Sequence, residues 1–268
     1  MDRYLLKNII IIILLLVNGF LLGSLVMRQT SERSARMQAE QHLTALFAAD
    51  GITLETDAIS REDPPAPRAL STDAAQQRQA AVLLLGENLL HDDQGGASTY
   101  TGSEGVARFR AGGSFEIEGK LSAADAQAVC EEFCKTFSFD PPVFLLDETL
   151  SGTGTAVCRY EDLPVYNCVL TFTLNRGTLN RVSGTLLPAE NTLLAEEREP
   201  LSGIAALTAF QKARRESGAV VSAVSDLYLC YELTPASTSG LTLTPSWCVV
   251  TDTSKYYVNA SSGEVTSG

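Results

Sequence analysis

The sequence predicts an α+β protein in which a single N-terminal transmembrane helix is followed by repeated units that each join one helix to an antiparallel sheet. Three observations predict this class. An uncharged apolar segment opens the chain, and amphipathic helical segments then alternate with short strands. Two of the units also share a pattern, because LPVYNCVL at 163–170 matches LTPSWCVV at 243–250 in a Pro, an aromatic residue, a Cys and two aliphatic residues.

The apolar segment covers residues 8–27, NIIIIILLLVNGFLLGSLVM, which are twenty residues without a charge. A helix of this length spans about 30 Å, the thickness of the hydrocarbon core of a bilayer. The apolar part of a cleavable signal peptide has only about 7–15 residues, and it ends in a small-x-small site that is missing before Arg28. We therefore expect an uncleaved anchor rather than a signal peptide or a buried core helix.

The orientation in the membrane follows from the residues after the anchor. Basic residues flank the segment on both sides, with Arg3 and Lys7 before it and Arg28, Arg33 and Arg36 after it, so they give no clear direction. All six cysteines follow the anchor, and the chain has a net charge of −12. The acidic balance argues against binding to nucleic acid, and an even number of cysteines suits an oxidising space. We expect the N-terminus in the cytoplasm and the C-terminal domain outside the cell.

Composition and turn signals divide the chain into six parts. These parts are a cytoplasmic tip and transmembrane anchor at 1–28, a stalk helix and short strand at 29–59, a Pro-rich linker at 60–71, a first helix and hairpin unit at 72–120, a second helix and sheet unit at 121–199, and a C-terminal unit at 200–268. A lone helix with a hairpin leaves one sheet face bare, so we expect each helix to cover its own sheet.

Apolar periodicity predicts the individual elements. The helices after the anchor are expected at 31–50, 72–88, 122–137 and 202–217. Thr72 or Asp73 can cap the second of these helices, and Ser122 with Asp125 is close to a capping box. The strands are expected at 52–54, 106–110, 114–118, 155–160, 165–174, 179–187, 223–233, 241–251 and 255–259. Gly95 and Gly96 are expected in a loop.

Small and polar residues in the anchor are candidates for contact with another membrane helix. Gly19 and Gly23 are four residues apart, are followed by Ser24, and allow a second helix to approach closely. Asn18 can form a hydrogen bond between helices. The alternative is that glycine is simply common in membrane helices and that Asn18 bonds its own backbone.

Four cysteines lie in predicted hairpins. Cys158 and Cys168 flank one turn, and Cys230 and Cys248 flank a longer loop, so each pair is expected to be cross-strand neighbours. Each pair could form a disulfide that staples its hairpin, provided that the exterior is oxidising. The alternative is that all four are small buried apolar residues.

The remaining candidates for chemistry are weak. Cys130 and Cys134 lie mid-helix beside Phe133 and Phe137, whereas a redox pair prefers Cys-x-x-Cys at a helix N-terminus, so we predict that they pack in the core. No Cys-x-x-Cys zinc motif and no common hydrolase, phosphate-binding or metalloprotease motif is present. We expect no enzymatic activity, no cofactor, no metal and no small-molecule substrate. Trp247 alternates with apolar residues and is expected in the core.

The C-terminal segment 243–265 carries the residues that point to a family. It contains Trp-Cys-Val-Val-Thr-Asp and then Lys-Tyr-Tyr-Val-Asn-Ala-Ser-Ser-Gly-Glu-Val. With the short tip, the single anchor and the following helix, this segment resembles the YycH/YycI regulatory proteins of Gram-positive bacteria, YycI more than YycH, and their PepSY-like domains. The resemblance implies PepSY-like units and a non-enzymatic role. Family members modulate a membrane sensor histidine kinase of two-component cell-wall control, together with a sister regulatory protein.

Two other functions stay open from the sequence. The chain could be a structural or envelope-binding module for which the anchor is only a tether. It could also be a thiol oxidoreductase that uses Cys130 and Cys134, in which case these thiols would be reactive.

Overall fold

The computed structural model describes residues 3–55, 59–71, 73–110, 112–122, 125–188, 191–194, 199–235 and 240–268. Within these ranges the chain forms an α+β structure dominated by one large sheet. The helices are α1 (Arg3–Ala49), α2 (Ala74–Leu85), α3 (Ala126–Thr136) and α4 (Gly203–Ser217).

Helix ends follow the local sequence. Asp73, Asp125 and Ser202 each precede a helix and accept a hydrogen bond from a backbone N–H in its first turn. Gly218 ends α4 in the left-handed conformation with φ of 71°, where a residue with a Cβ would be strained. Ser122 lies at the end of the preceding strand, so α3 begins at Ala126 rather than at the predicted 122.

The longest helix, α1, contains 47 residues and includes the apolar segment 8–27. In the part of the chain that is described, no helix is both long and apolar enough to cross a membrane. The transmembrane anchor therefore stays a prediction from the sequence.

The strands are β1 (Thr53–Leu54), β2 (Arg68–Leu70), β3 (Leu90–Gln94), β4 (Ala97–Thr101), β5 (Gly105–Arg110), β6 (Ser114–Ser122), β7 (Val143–Leu146), β8 (Gly152–Tyr160), β9 (Leu163–Asn175), β10 (Thr178–Thr185), β11 (Asn191–Leu193), β12 (Ala223–Pro235), β13 (Leu241–Thr251), β14 (Lys255–Asn259) and β15 (Val265–Ser267). Their main order across the sheet is β11-β2-β13-β12-β9-β10-β6-β5-β4-β3. Strand β1 lies beside β12, β8 and β7 lie beyond β9, and β14 and β15 lie beyond β13.

Two long hairpins, β8–β9 and β12–β13, contain the repeated sequence pattern. They meet where β9 and β12 run parallel, and the strand pairing there is the single residue pair Val165 with Tyr231. On the C-terminal side of that pair, the side-chain amide of Asn167 in β9 bonds the N–H and C=O of Leu233 in β12. On the N-terminal side a seam lies between the hairpins.

The first apolar core lies between α2, α3 and the strands β4 to β10, and it also contains residues of β2, β12 and β13, namely Leu70, Tyr231, Leu233, Leu241 and Leu243. The rings of Phe109, Phe115, Phe133 and Phe172 form a continuous series through it, with centroids 5.6 Å, 6.0 Å and 6.3 Å apart. Both helices share this core, so the expectation that each helix covers its own sheet is wrong for them. The reason is that β10 pairs with β6 and joins the first two units into one sheet.

The second apolar core belongs to the C-terminal unit. It lies between the end of α1, helix α4 and strands β12 to β14, and it contains Phe47, Phe210 and Trp247, which are fully buried. The indole N–H of Trp247 donates to the carbonyl of Leu201 over 2.8 Å, so the one polar atom of this ring is satisfied. The prediction that Trp247 lies in the core is confirmed.

Six of the described strands were not expected from the sequence. Strand β2 lies inside the Pro-rich segment 60–71, and β3 and β4 pair across the turn at Gly95 and Gly96. Strands β7 and β15 lie at edges of the sheet, and β11 pairs with β2. All six are short, and such segments carry too few residues to show a period of two.

Candidate functional site

The end of α1 is built into the second core. Leu43 and Phe47 are buried, and the ring of Phe47 stacks on the ring of Phe210 in α4 with centroids 6.3 Å apart. Side chains four residues apart lie on one face of a helix, so α1 presents a single apolar stripe to α4 at this end. The helix therefore enters the domain as a packed element rather than as a loose tether.

A polar cluster fixes the same junction at the last residue before Gly51. Asp50 accepts hydrogen bonds from Gln211 over 2.6 Å, from Arg214, and from Arg215 over 2.6 Å and 2.9 Å. The hydrogen bond from Arg215, aided by the charges of Arg215 and Arg214, lowers the pKa of the Asp50 carboxyl below its usual value. Both arginines lie in the last turn of α4, where the helix dipole favours positive charge.

The four candidate residues of the apolar segment all lie within α1. At about 100° per residue, Gly19 and Gly23 are about 40° apart around the helix and share one face, whereas Asn18 and Ser24 lie on either side of that face. A Cβ built on Gly19 would meet no atom within 4 Å. The Ser24 hydroxyl donates to the carbonyl of Leu21 over 2.9 Å and is thereby satisfied within its own helix. Contact with another helix stays a prediction.

The first cysteine pair lies at an irregularity in the β8–β9 ladder. The register pairs Val157 with Val169 and then shifts, so that Cys158 stands opposite Val165 instead of Cys168. The Cys158 thiol donates to the carbonyl of Arg159 over 3.7 Å, and the Cys168 thiol donates to the carbonyl of Thr185 over 3.2 Å. The neighbouring Cys168 thiol and burial raise the pKa of Cys158.

The second cysteine pair is offset by two residues. Cys248 lies opposite Tyr228, and Cys230 lies opposite Ser246, so the two cysteines are diagonal neighbours on one face of the sheet. All six cysteines are buried free thiols in this structure. The two disulfides stay predictions, which a count of free thiols in the unfolded, unreduced protein tests.

Cys130 and Cys134 pack in the first core as predicted, with 0% and 1% of their surface exposed. Burial raises the pKa of both thiols to about 12, whereas a reactive thiol needs a lowered pKa. Among the described residues, no three or more His, Cys, Asp or Glu side chains are grouped so that they could hold a metal ion.

A cleft of about 480 Å³ opens along the seam between the two hairpins. One wall comes from β8 and β9 and the other from β12 and β14. Its aromatic residues are Tyr166, Tyr228 and Tyr257, and the rings of Tyr166 and Tyr257 stack with centroids 3.6 Å apart. Burial raises the pKa of Tyr166 and Tyr257 to about 12, so both rings are neutral hydrogen-bonding groups at physiological pH.

Two cations, Arg159 and Lys255, and two carboxylates, Glu62 and Asp140, line this cleft. Arg159 is bound by the carboxylate of Asp140 over 2.5 Å and by the carbonyl of Asp162 over 2.6 Å. The ammonium group of Lys255 contacts the hydroxyl of Tyr228 over 3.3 Å. Within the described ranges, no carboxylate lies within ion-pair distance of Lys255, so its charge is available to a ligand.

Neither the Asp50 cluster nor the seam cleft was identified from the sequence. The Asp50 partners are 161 to 165 residues away in the chain, and no local pattern connects them. A weak signal existed, because an acidic residue before Gly51 and the Arg214-Arg215 pair near the end of α4 are complementary in charge. The cleft depends on how β9 and β12 lie beside each other. No local sequence pattern predicts that arrangement.

Comparison with known proteins gives similarity at the level of structure. No protein-family model matches the sequence, and no curated protein matches it. An uncharacterized protein from Eubacterium rectale is similar with a TM-score of 0.40 and 11% identity, over 77% of this chain and 81% of that one. The C-terminal domain of YpeB from Bacillus megaterium is similar with a TM-score of 0.32 and 10% identity, over 74% of this chain and 98% of that one.

YycH from Bacillus subtilis is also similar, with a TM-score of 0.34 and 11% identity, over 78% of this chain and 55% of that one.

Proposed function

We propose that this chain is a membrane-anchored, extracytoplasmic regulatory or adaptor protein, without enzymatic activity, that modulates a membrane sensor histidine kinase. The observation that carries the proposal is the continuity of α1. One helix holds the apolar segment 8–27 near its start and packs into the second core at its end. Its 47 residues extend over about 70 Å, and a helix packed at one end can transmit a displacement or rotation to the other.

The exposure of the apolar segment supports a membrane as its environment. Eight large apolar side chains in this segment are between 51% and 75% exposed, namely Ile13, Leu14, Leu15, Leu16, Val17, Phe20, Leu21 and Leu22. Leaving so much apolar surface in water costs about 25 cal/mol for each Å², and a bilayer removes that cost. We place the N-terminus in the cytoplasm and the acidic domain outside the cell, since all six cysteines lie in that domain.

The kind of partner follows from the sequence resemblance of segment 243–265 to the YycH/YycI proteins. That resemblance favours a sensor histidine kinase of Gram-positive cell-wall control, or a sister regulatory protein of the same complex. The face that contains Gly19 and Gly23 is the surface of α1 on which a membrane helix of the partner can pack most closely.

The first test addresses that contact. The double variant Gly19→Ile/Gly23→Ile fills the small-residue face, and the double variant Val17→Ile/Leu21→Ile changes the opposite face as a matched control. The full-length proteins are purified from native cells in mild detergent, and bound histidine kinases are measured by mass spectrometry. We expect the control to retain a histidine kinase and the glycine variant to lose it. Retention by both variants would assign any contact to the folded domain instead.

The second test addresses transmission along α1. Ala35→Pro kinks the helix between the apolar segment and the domain, while Ala35→Ser changes the same exposed position and keeps the helix continuous. The readout is the phosphorylated fraction of the response regulators in native cells. We expect Ala35→Pro to reproduce the phosphorylation level of a deletion strain and Ala35→Ser to match the wild type. Wild-type phosphorylation in Ala35→Pro would contradict a role for helix continuity.

A further inference from the structure

Strand β12 has an open stretch along one of its edges. On one side it pairs with β13 over almost its whole length. On the other side it pairs with β1 at Ala223 and Val224 and with β9 at Tyr231, and no described strand pairs with it from Ser225 to Cys230. These six positions cover about 20 Å, and the seam cleft lies beside them.

The ladder with β13 determines which backbone groups face the open side. Pro245, opposite Tyr231, accepts a hydrogen bond from Ala260 with its carbonyl, so it directs its backbone away from β12. In an antiparallel ladder the direction alternates from one residue to the next, so Tyr231 and Leu229 direct their own N–H and C=O groups away from β13. Tyr231 uses this direction to pair with β9.

Leu229 and Leu227 are the next residues toward the start of β12 whose backbone groups point away from β13. The N–H of Leu227 donates to the side chain of Asp226 over 2.8 Å, as expected where a neighbouring strand is missing. Leu229 lines the cleft with 4% of its surface exposed, and no described strand pairs with its outward N–H and C=O. Backbone groups of this kind are satisfied by water or by an added strand.

We propose that the seam cleft binds an extended peptide segment of a partner protein, which pairs with the backbone of Leu229 and places an acidic side chain beside Lys255. The strand fills the gap between β1 and β9 in the sheet. The backbone hydrogen bonds supply affinity, and alternate side chains supply specificity. The volume of the cleft lies within the range of about 300–1,000 Å³ that is usual for ligand sites.

The walls of the cleft define the peptide further. Side chains that point to the face of Tyr228 and Tyr257 meet aromatic rings, so apolar or aromatic residues suit those positions. The ammonium group of Lys255 meets no carboxylate of the described protein, so it favours an acidic residue on the ligand, whereas Arg159 is already neutralised by Asp140. The expected ligand is an extended peptide of alternating apolar residues that includes an acidic residue.

The binding test uses the full-length protein in detergent micelles and an array of synthetic hexapeptides. Their sequences alternate Val or Tyr with Glu, Lys or Ser, and binding is measured by fluorescence anisotropy. For the best acidic peptide, N-methylation of alternate amides is the matched control, because it keeps the side chains and removes backbone hydrogen bonds. We expect saturable binding that one of the two N-methylation patterns weakens at least tenfold. No binding in the array, or binding unchanged by both patterns, would overturn the proposal.

Charge recognition is tested with Lys255→Glu and, as a control, Lys135→Glu on the exposed surface of α3. We expect Lys255→Glu to lower the affinity for the acidic peptide about tenfold and to raise the affinity for its lysine analogue. Lys135→Glu should change neither affinity. Equal effects of the two variants on these affinities would contradict a role of Lys255 in the site.

Hydrogen exchange tests the open edge directly. In the free protein the amide of Leu229 should exchange faster than those of Tyr228 and Cys230, which face β13, and the peptide should slow it at least tenfold. Equal protection of all three amides in the free protein would contradict the open edge. This site does not involve α1, so its failure and the failure of the proposed regulatory role are distinguishable.

Discussion

At the residue scale, the Asp50 carboxylate connects the end of α1 with the end of α4. It is the shared acceptor for Gln211, Arg214 and Arg215, and hydrogen bonds from charged donors are among the strongest in proteins. Because the cluster lies at the surface, its contribution is screened by solvent and depends on the ionisation of one carboxyl group.

We predict that Asp50→Asn removes a pH-dependent part of the stability. The pKa of Asp50 is lowered from its ordinary value of 3.8, so the folded protein binds this proton more weakly than the unfolded chain does. The stabilisation is therefore complete above about pH 5 and is lost as the pH falls through the folded-state pKa. The difference between wild type and variant in the free energy of unfolding should shrink between pH 7 and pH 3. Denaturant unfolding at several pH values measures it.

Asp63→Asn is the control for this experiment, because Asp63 is exposed in the Pro-rich segment. It should leave the pH dependence of unfolding as in the wild type. A difference between Asp50→Asn and wild type that stays constant from pH 7 to pH 3 would contradict the assignment.

At the scale of the element, α1 changes its surroundings along its length. Its first part exposes large apolar side chains, and its last turns bury Leu43 and Phe47 in the second core. One helix thus has two apolar regions, and a protein core covers only the second of them.

We predict that Phe47→Ala destabilises the domain by about 3–5 kcal/mol, because it removes a fully buried ring and leaves a cavity beside Phe210. Met37→Ala is the control, since Met37 lies on the same helix with 58% of its surface exposed, and it should change stability by less than about 0.5 kcal/mol. Denaturant unfolding followed by the fluorescence of Trp247, which lies in the same core, measures both. Similar decreases in the free energy of unfolding of the two variants would show that the end of α1 is not packed as described.

At the scale of the whole molecule, one sheet joins two apolar cores. The first core holds α2 and α3, and the second holds α4 and the end of α1. Strand pairing between the two long hairpins is limited to Val165–Tyr231, supplemented by the hydrogen bonds of the Asn167 side chain with Leu233. A sheet that is continuous in hydrogen bonding can therefore consist of two parts that open separately.

We predict that Phe210→Ala and Phe133→Ala loosen different parts of the molecule. Phe210→Ala should speed hydrogen exchange in α4 and β14 and leave α3 protected, because its ring lies in the second core. Phe133→Ala should have the reverse effect, because its ring lies in the first core. Each variant is the control for the other, and mass spectrometry at peptide resolution measures the exchange. Uniform acceleration in both variants would indicate a single cooperative unit.

The cysteines show how far the sequence could predict the candidate site. Matching positions in the two repeats correctly placed Cys158, Cys168, Cys230 and Cys248 on paired strands. The register within each pair differed from the expectation, because a shift after Val157 displaces Cys158 and because the β12–β13 loop aligns Cys248 with Tyr228. Strand register depends on loop geometry and on packing across the sheet. The alternation of apolar and polar residues along one strand predicts neither of these.

The sequence by itself determined the α+β class, the positions of the helices and long strands, and the apolar segment at 8–27, because these depend on residues that are near each other in the chain. Only the tertiary structure decided that α2 and α3 share one core, that Asp50 binds residues 161 to 165 positions away, and that β12 keeps an open edge beside Leu229. Each of these depends on how distant strands align and diverge. That alignment is set by the packing of the whole sheet, and a local pattern of apolar and polar residues is compatible with several such arrangements.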